Sequence, residues 1–262
     1  MNTHKKVLLL VISLMFLLSM TVSGVSEREK VTSLSQLDGK EFAVPSGTVA
    51  DQLVLSMFPN ADFQYYDTVL DACLAVQNGR ADAAAYDEPI LRNIAAGNPG
   101  LTVLPDMITK DDYGFAVRLD GQELKKTIDQ VVMELKESGK YDEMLARWLP
   151  KEGAPGEMPE MALTGGQGVL RFGTAPITEP FSFMDGNQRI VGFDIELAMA
   201  VAQELGMGLE IILFDFGDMI PHLIAGEVDM IGACITITPE RAQQVLFSEP
   251  YYTGGIAALV RE

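Results

Sequence analysis

The chain has few of the residues on which metal and redox chemistry depend. Its 262 residues include two cysteines, Cys73 and Cys234, and two histidines. So few thiols and imidazoles argue against a structural zinc site and against a scaffold built from disulfides. We expect both cysteines to be small free thiols. One disulfide between them is the alternative if the chain is exported.

Basic residues are also scarce. The sequence has 19 Lys and Arg against 37 Asp and Glu, which gives a formal net charge of −18. A surface of this charge repels polyanions, so neither nucleic acid nor an anionic membrane surface is expected as a main partner. The length is sufficient for a large buried core divided between two lobes or domains.

Long apolar runs are limited to one. Residues 7–22 are mostly apolar, follow His4, Lys5 and Lys6, and end in small residues at 22–24. This order predicts a cleaved targeting signal over residues 1–24, with an uncleaved N-terminal anchor as the alternative. Because no second apolar run follows, we do not expect an integral membrane transporter. No cysteine stands directly after the apolar run, where a lipid would be attached, so no lipid anchor is expected either.

Catalytic constellations are missing as well. The sequence shows no Ser/His/Asp set, no metal cluster and no phosphate loop, since the glycines at 165–168 are not followed by Lys-Ser/Thr. His222, the one histidine beyond the targeting signal, is predicted to be packed or solvated on a helix. We therefore expect a protein without cofactor or metal that binds rather than catalyses.

The stretch from residue 226 to 252 is the most informative one present. Residues 228–232 are typical of a short buried strand, and Thr236 and Thr238 place their hydroxyls on one side of the chain that follows. Thr238 is a good N-cap, and Pro239 a good first residue, for a helix that carries Arg241. These groups together suit a small carboxylate. A solvated surface arginine is the alternative.

A second strand, loop and helix occurs earlier in the chain. A strand at 41–44 is followed by Ser46, Gly47 and Thr48 and by a helix from about Val49. Backbone N–H groups at such a helix start can bind an anion. Many such turns serve only as connections, which is the alternative here.

Tyr86 and Asp87 end a strand of small residues at 83–85. A carboxylate at the carboxyl end of a buried strand lies where α/β sheets place ligand-binding groups. The alternative is that Asp87 caps the following helix. The preceding GRAD at 79–82 is echoed by GEVD at 226–229, which suggests two related half-sites facing each other.

The remaining pattern alternates strands and helices, as expected of an α/β protein. A glycine, Gly139, is predicted to break a long helical pattern, and residues 151–168 form a Pro/Gly-rich linker. The other predicted elements are strands at 63–66, 101–104, 113–117, 170–174 and 210–213, helices at 67–76, 122–149, 193–205 and 219–225, and a hairpin turn at 185–187.

The chain resembles the amino-acid-binding family of extracytoplasmic solute-binding proteins, which deliver substrates to ABC transporters. The likeness covers nearly everything from about Ser33 to Glu262. It rests on T-I-T-x-x-R at 236–241, where members have a G-x-T-I-T-x-x-R pattern, and on F-S-x-x-Y at 247–251, S-G-T at 46–48, G-R-x-D-A-x-x-x-D at 79–87, and P-F-x-x-x-D-G with V-G-F-D-I-E-L-A at 180–198.

The resemblance implies a two-lobed, periplasmic-binding-protein-like (type II) α/β fold that closes on a free α-amino acid. It assigns the α-carboxylate of the ligand to Arg241, and the α-ammonium group to Asp87. Phe216 would pack against the ligand side chain. Further ligand-binding positions implied are Ser46, Gly47, Thr48, Val49, Tyr86, Ala175, Thr178, Cys234 and Thr236.

Two positions depart from the family. Many members have an aspartate where Ala175 stands and an aromatic residue where Thr178 stands, so we expect a polar uncharged or small amino acid rather than a cationic one. The expected partner is the membrane permease of an ABC transporter, reached in the periplasm or at the extracytoplasmic face. The alternatives are an exported dehydratase-like enzyme of this fold and a membrane-held sensory module.

The motifs occur in circularly permuted order, since the lobe that begins an ordinary member comes last here. The predicted division is a signal at 1–24, a spacer at 25–32, the second lobe at 33–108, a return strand and helices at 109–150, the linker at 151–168 and the first lobe at 169–262. This division leaves residues 105–112 as the only covalent tie between lobes. We expect a monomer; a piece of a tandem array and a lobe-swapped dimer are the alternatives.

Overall fold

Residues 30–150 and 154–262 are described by the computed structural model, in which residues 31–262 form one unit and the residues up to 30 another. The targeting signal at 1–24 and most of the spacer at 25–32 lie outside the described residues. Within the described ranges, no helix has both the length and the apolar character needed to span a membrane.

A five-stranded sheet forms the centre of what we call the N-terminal lobe. Four of its strands run in the same direction, and the fifth, from the far end of the chain, runs antiparallel between β3 and β4. In spatial order the strands are β2 (Asp62–Tyr66), β1 (Glu41–Pro45), β3 (Ala83–Asp87), β15 (Ile256–Arg261) and β4 (Leu101–Met107).

A second five-stranded sheet forms the centre of the C-terminal lobe. It repeats the plan of the first, with one antiparallel strand from a remote segment between its third and fourth local strands. Its order is β11 (Gly208–Leu213), β7 (Val169–Thr174), β12 (Met230–Ile231), β6 (Ala116–Val117) and β13 (Leu246–Phe247). The mixed α/β class predicted from the sequence is confirmed.

The sequence echo between residues 79–82 and 226–229 is a structural repeat. In the N-terminal lobe, Asp82 donates its N–H to Glu41 O and accepts from Glu41 N through Oδ2. In the C-terminal lobe, Asp229 makes the same two backbone contacts with Arg171, at 2.9 Å each. In chain order within each lobe, the aspartate thus fixes the start of the third strand against the first. Because these two strands are parallel, their carboxyl ends lie at the same edge of the sheet.

Helices cover both sheets and end where the sequence signals predict. Thr68 caps its helix by accepting from Asp71 N at 3.1 Å, and Gly139 ends a long helix at a left-handed φ of 79°. The helices are α1 (Ala50–Met57), α2 (Val69–Gln77), α3 (Glu88–Gly97), α4 (Gln122–Ser138), α5 (Lys140–Trp148), α6 (Phe193–Glu204), α7 (Met219–Ile224) and α8 (Pro239–Ala242), with 3₁₀ turns at Leu34–Leu37 and Phe216–Asp218.

Short antiparallel pairs complete the fold. The predicted turn at 185–187 connects β9 (Ser182–Met184) to β10 (Ile190–Val191), and β9 also pairs with β8 (Ile177–Thr178). The predicted linker is without helix or strand over 154–163, and its Gly156 N donates to Arg147 O at 2.7 Å. This contact ties the start of the described linker to α5.

Two crossovers, not one, connect the lobes. The first leaves β4, passes through β5 (Asp111–Tyr113) and enters β6, while the second leaves β13, passes through β14 (Tyr252–Gly254) and enters β15. The strands β5 and β14 pair antiparallel across the junction. The expectation that residues 105–112 are the only tie between the lobes is therefore wrong.

The predicted lobe boundaries change with this finding. Residues 169–262 were expected in one lobe, but β15 lies in the sheet of the N-terminal lobe. Its sequence is an apolar run from Ile256 to Val260, typical of a strand buried on both faces, so it suits the sheet interior. The predicted strand at 113–117 is likewise divided. A Cβ on Gly114 would lie 2.9 Å from Ile237 Cδ1, so the chain bends there past a neighbouring loop.

A buried carboxylate fastens the return helices to the C-terminal lobe. Glu196 on α6 is 7% exposed and accepts from Arg147 Nη1 at 2.6 and 2.7 Å and from Trp148 Nε1 at 2.6 Å. Both donors lie on α5, so one acid satisfies a buried indole and a guanidinium together. Removing it leaves both donors without their acceptor.

We predict that Glu196→Ala lowers the free energy of unfolding by about 3–5 kcal/mol, because a broken buried ion pair leaves an uncompensated charge. The measurement is urea unfolding followed by circular dichroism. Glu137→Ala, on an exposed position of α4, is the control and should stay within about 0.5 kcal/mol of the parent protein. A loss below about 1 kcal/mol for Glu196→Ala would contradict the stabilising role of the contact.

Candidate functional site

The carboxyl end of β3 and the loop after β12 meet at one small cavity between the lobes. The cavity has a volume of about 10 Å³, the space of about one water molecule. Its lining contains most of the ligand-binding residues predicted from the sequence. The residues are Thr48, Val49, Ala50, Tyr86, Asp87, Phe216, Cys234, Thr236, Arg241 and Ile256.

Arg241 is positioned by the capped start of α8. Thr238 Oγ1 accepts from Arg241 N at 3.3 Å, and Pro239 occupies the first helical position, as the sequence predicts. Arg241 Nη1 donates to Thr236 O at 3.0 Å, and the Phe216 ring centre lies 5.7 Å from the guanidinium carbon. The alternative of a solvated surface arginine is wrong.

The Arg241 guanidinium forms no ion pair with any carboxylate in residues 30–150 and 154–262. Burial lowers its pKa, which shows that the surroundings disfavour the positive charge. A guanidinium has five N–H donors in a planar fork that matches a carboxylate. This wall of the cavity is therefore suited to bind a carboxylate from outside the described chain.

Asp87 forms the facing wall, at the end of β3. Its carboxylate is 4% exposed and accepts a hydrogen bond from the Tyr113 hydroxyl, which in turn accepts from Gly255 N at 3.2 Å. Asp87 makes no side-chain cap contact with α3, so the helix-cap alternative is wrong. Burial raises the pKa of Asp87 to about 7, against a lowering by the Tyr113 hydrogen bond.

The Tyr113 contact was not found by sequence reasoning. Tyr113 lies on a crossover strand 26 residues after Asp87, and only the pairing of β5 with β14 brings it to the cavity. An aromatic residue at the start of a predicted strand carries no signal of such a role. The tyrosine orients one carboxylate oxygen of Asp87.

Cys234 occupies a strained position in the loop after β12. Its φ of 57° lies in the left-handed region that favours glycine, and the motif given above has glycine at this place. Its N–H donates to Asp194 Oδ2 at 2.8 Å, and the Tyr251 hydroxyl donates to the same oxygen at 3.0 Å. Cys73 and Cys234 are both free and buried, as predicted.

Asp194, two residues after the glycine that precedes α6, is the buried support of this loop. It is fully buried, and its Oδ1 has no hydrogen-bond partner among the described residues. Burial raises its pKa to about 7, while the hydrogen bonds from Cys234 and Tyr251 act in the opposite direction. The V-G-F-D motif thus supports the cavity from behind rather than lining it.

A larger cavity of about 500 Å³ adjoins the small one and shares Thr48, Tyr86 and Phe216 with it. Ser46 and Gly47, which were predicted to bind ligand, line this second cavity. Three carboxylates give it a negative charge. The full lining is Pro45, Ser46, Gly47, Thr48, Asp67, Val69, Tyr86, Ile177, Asp215, Phe216, Gly217 and Asp218.

Ala175 and Thr178, also predicted as ligand-binding, line neither of these cavities. Both are buried, and the Thr178 hydroxyl is directed back onto Ala175 O at 3.5 Å and Ser182 O at 3.4 Å. The hydroxyl is therefore used inside the β8–β9 turn. The ligand-binding assignment of both residues stays a prediction.

His222 lies outside these cavities as well. Its ring Nδ1 donates a hydrogen bond to Glu227 Oε2 at 2.9 Å, and the ring stacks on Phe214 with ring centres 4.3 Å apart. The prediction of a packed histidine is confirmed. In the described part of the chain, no three His, Cys, Asp or Glu side chains are grouped so that they could bind a metal.

Two α/β lobes joined by paired crossover strands, with a polar cavity at the junction, define a two-lobed protein of the periplasmic-binding-protein-like class. Residues 170–262 match the family model of the bacterial extracellular solute-binding proteins, family 3. This part of the chain carries the V-G-F-D and T-I-T-x-x-R motifs. The resemblance seen in the sequence is thereby confirmed.

Two curated relatives show the same relationship. The putative ABC transporter arginine-binding protein 2 of Escherichia coli (strain K12) is 30% identical over 132 residues, which cover 48% of this chain and 54% of that protein. The arginine-binding extracellular protein ArtP of Bacillus subtilis (strain 168) is 42% identical over 88 residues, or 34% of each chain. The chain thus spans about half the length of the first and about a third of the second.

Among solved structures, the arginine-bound form of domain 1 from TmArgBP is 39% identical. The match covers 36% of this chain and 80% of that chain, with a TM-score of 0.32. The chain is homologous to amino-acid-binding extracellular solute-binding proteins of ABC transporters.

The lobes touch at two glycines on the rim of the larger cavity. A Cβ added to Gly47 would lie 3.2 Å from Gly217 Cα, and one added to Gly217 would lie 3.5 Å from Gly47 Cα. The first distance is tighter than ordinary van der Waals contact and the second is within it. The absence of both side chains therefore allows this close approach.

We predict that Gly217→Leu separates the lobes, because its side chain must occupy the space of Gly47, whereas Gly217→Ala does so much less. Small-angle X-ray scattering should show a larger radius of gyration for Gly217→Leu than for the parent protein. Gly186→Leu is the control, since nothing lies within 4 Å of a Cβ at that turn glycine. Identical scattering for Gly217→Leu and Gly186→Leu would contradict the prediction.

Proposed function

We propose that this chain binds a free α-amino acid between its lobes and delivers it to the membrane permease of an ABC transporter. The observation that carries the proposal is the pair of charges at one cavity. Arg241 from the C-terminal lobe has no carboxylate partner within the described residues, and Asp87 from the N-terminal lobe is buried on the facing wall. An α-amino acid is a zwitterion, so it supplies a charge for each wall.

The proposed roles follow from the chemistry of each group. Arg241 binds the α-carboxylate, assisted by Thr236 and by the backbone near Cys234 and Val49. Asp87 accepts from the α-ammonium group. A ligand that contacts both lobes favours the closed arrangement, because its free energy of binding depends on both walls at once.

The larger cavity is the proposed place of the ligand side chain. Asp67, Asp215 and Asp218 line it, and Phe216 connects it to the small cavity. These carboxylates attract a cationic side chain, and two relatives are named for arginine. We therefore revise the expectation of a polar uncharged ligand, which rested on Ala175, and propose a cationic amino acid.

The proposed closure needs a more open arrangement than the one described. The small cavity has room for about one water molecule, so the ligand must enter while the lobes are apart. The pairing of β5 with β14 supports a hinge at the two crossovers. Such a hinge allows rotation of the lobes without unfolding either sheet.

The motif order supports a circular permutation. The match to the family falls on residues 170–262, whereas the sheet that carries S-G-T and G-R-x-D-A precedes it in the chain. Each lobe nevertheless has the same strand plan, and the linker at 151–168 connects them. We propose a permuted receptor that acts as a monomer, with lobe exchange between two copies as the alternative.

The homologues' extracellular family supports an exported protein, and we propose the periplasm or the extracytoplasmic face as its location. We propose binding rather than catalysis. Burial raises the pKa of the Cys234 thiol well above its ordinary value, which makes it a poor nucleophile. The dehydratase-like alternative has one supporting observation, since a carboxyl such as Asp87 with a pKa of about 7 suits general acid–base chemistry.

We predict that L-arginine stabilises the purified chain against heat, and that the shift is lost in Arg241→Ala and Asp87→Ala. A ligand at about 100 times its Kd should add about 2.7 kcal/mol of unfolding free energy. The measurement is a thermal-shift screen of the twenty amino acids followed by calorimetric titration. A hit that is consumed on incubation, with a new product in the mixture, would favour the enzyme.

The control for these variants is Arg92→Ala, which removes an arginine whose side chain is 58% exposed and which lines neither cavity. It should keep the full shift. If no amino acid stabilises the parent protein, or if Arg241→Ala keeps the shift, the proposed function is wrong.

We predict that affinity for L-arginine rises with pH between 6 and 8. The raised pKa of Asp87, about 7, means that the carboxyl is mostly protonated at pH 6 and mostly ionised at pH 8. Only the ionised form attracts the α-ammonium group, so the Kd should fall by up to about tenfold across this range. Titration calorimetry at several pH values measures it.

Asp194 has a pKa of about 7 as well, so Asp194→Asn is the matched control. The pH dependence should persist in Asp194→Asn, because Asp194 supports the loop and does not line the cavity. If the pH dependence disappears in Asp194→Asn, the titrating group is Asp194, and the prediction for Asp87 is wrong.

A further inference from the structure

We infer that Tyr113 is a positioning residue of the proposed site, whose hydroxyl holds Asp87 ionised and leaves its second carboxylate oxygen to the ammonium group of the ligand. The inference deepens the proposed function and rests on it for the ligand, whereas the contact itself can be tested without one. Tyr113 lies on the first crossover and lines neither of the two cavities. It therefore acts through Asp87 rather than by touching the ligand.

The Tyr113 hydroxyl is bonded from two sides. Gly255 N donates to its oxygen at 3.2 Å, and its O–H donates to Asp87 Oδ1. A backbone N–H can only donate, so the contact with Gly255 occupies a lone pair and leaves the one O–H of the phenol for Asp87. A donor in this position stabilises the ionised form of a carboxyl group.

Two glycines leave the space in which this hydroxyl lies. A Cβ on Gly254 would lie 2.6 Å from the Tyr113 hydroxyl oxygen, and a Cβ on Gly255 would lie 2.1 Å from Thr109 O. Neither position has room for a side chain, so the backbone of the second crossover passes directly beside the hydroxyl. The N–H of Gly255 is thereby brought within hydrogen-bonding distance of it.

Both bonding partners of the hydroxyl are fastened to the N-terminal lobe. Asp87 ends β3 and pairs with Ile256 at the start of β15. Gly255 directly precedes that strand, and its carbonyl accepts from Glu88 N, at the start of α3, at 3.0 Å. A rotation of the lobes about the crossovers therefore does not have to break either bond of the hydroxyl.

The Tyr113 ring is held apart from its hydroxyl by other contacts. The residue is fully buried, its ring stacks on Tyr252 with ring centres 5.7 Å apart, and it meets Phe181 edge to face at 5.9 Å. Its backbone pairs with Tyr252 on one side and with Thr236 on the other. The variant Tyr113→Phe keeps these contacts and removes one oxygen, so it isolates the hydrogen bond to Asp87.

The contact with Tyr113 uses one carboxylate oxygen of Asp87. The other, Oδ2, has no hydrogen-bond donor from another residue in the described ranges, yet it is not fully enclosed. Asp87 also lines the small cavity. Oδ2 is therefore the oxygen that remains available to an ammonium group.

Several titratable groups surround Asp87 and bear on its charge. Burial raises its pKa to about 7, the Tyr113 hydrogen bond lowers it, Asp111 raises it and Arg241 lowers it. The neighbouring tyrosines and the thiol stay neutral near pH 7, because burial raises the pKa of each. The full set is Tyr86, Glu88, Asp111, Tyr113, Cys234, Arg241 and Tyr252. Only the Tyr113 contribution is absent in Tyr113→Phe.

The first test follows the titration of Asp87 in the ligand-free chain by NMR of isotope-labelled aspartate carboxyl groups. The Asp87 signal is assigned by its loss in Asp87→Asn. In Tyr113→Phe its midpoint should rise by at least about 1 pH unit, since a hydrogen bond to the charged form is lost.

The matched control is Tyr252→Phe, which makes the same change on the ring stacked against Tyr113. Its midpoint should stay within about 0.3 pH unit of the parent value, because its hydroxyl does not bond to Asp87. Thermal unfolding checks that both variants are folded.

The second test measures the Kd for L-arginine by titration calorimetry between pH 6 and 8.5. With the Asp87 midpoint raised, the Kd of Tyr113→Phe at pH 7 should be about fivefold above that of the parent, and most of this difference should disappear by pH 8.5. A merely structural loss would raise the Kd by the same factor at every pH.

An unchanged Asp87 midpoint in Tyr113→Phe would overturn the inference, whether or not the chain binds arginine. A Kd raised by one constant factor across the pH range would overturn it as well. If the midpoint rises as expected but the parent protein binds none of the twenty amino acids, the proposed function fails, whereas the role of Tyr113 in holding Asp87 ionised is supported.

Discussion

A half-buried guanidinium that has no carboxylate partner among the described residues lies at the junction of two lobes with a buried carboxylate, and the rest of this molecule depends on this constraint. Burial disfavours the charged form of each group, since it lowers the pKa of Arg241 and raises that of Asp87. The protein tolerates both because each is fixed by a neighbouring segment, Arg241 by the Thr236 carbonyl and Asp87 by the Tyr113 hydroxyl. In the proposed function, a zwitterionic ligand neutralises both groups and offsets the unfavourable burial of their charges.

The scaffold explains how two groups 154 positions apart in the numbering reach one cavity. Each lobe repeats one plan, in which an aspartate, Asp82 or Asp229, fixes the start of the third strand against the first. Both third strands then end at the interface. The crossovers that contain β5 and β14 join the lobes at two places and pair with each other, so both half-sites meet at one junction.

Local signals predicted much of this arrangement because they depend on neighbours in sequence. Thr238 and Pro239 start α8, Gly139 ends α4, and the small residues of β3 identify a buried strand before any fold is known. The place of β15 could not be read in the same way. An apolar run is typical of a strand in either sheet. Which sheet the strand joins depends on contacts with β3 and β4, which precede it by about 150 residues or more in the sequence.

The sequence by itself determined the α/β class, the ends of most helices and strands, the free cysteines, and Arg241 and Asp87 as the charged residues of the candidate site. These features follow from local propensity, composition and short motifs. The tertiary structure alone decided that Tyr113 orients Asp87, that Asp194 supports the strained Cys234, that the Thr178 hydroxyl bonds inside the β8–β9 turn, and that two crossovers join the lobes. Each of these depends on distances between remote segments, and no local pattern encodes such distances.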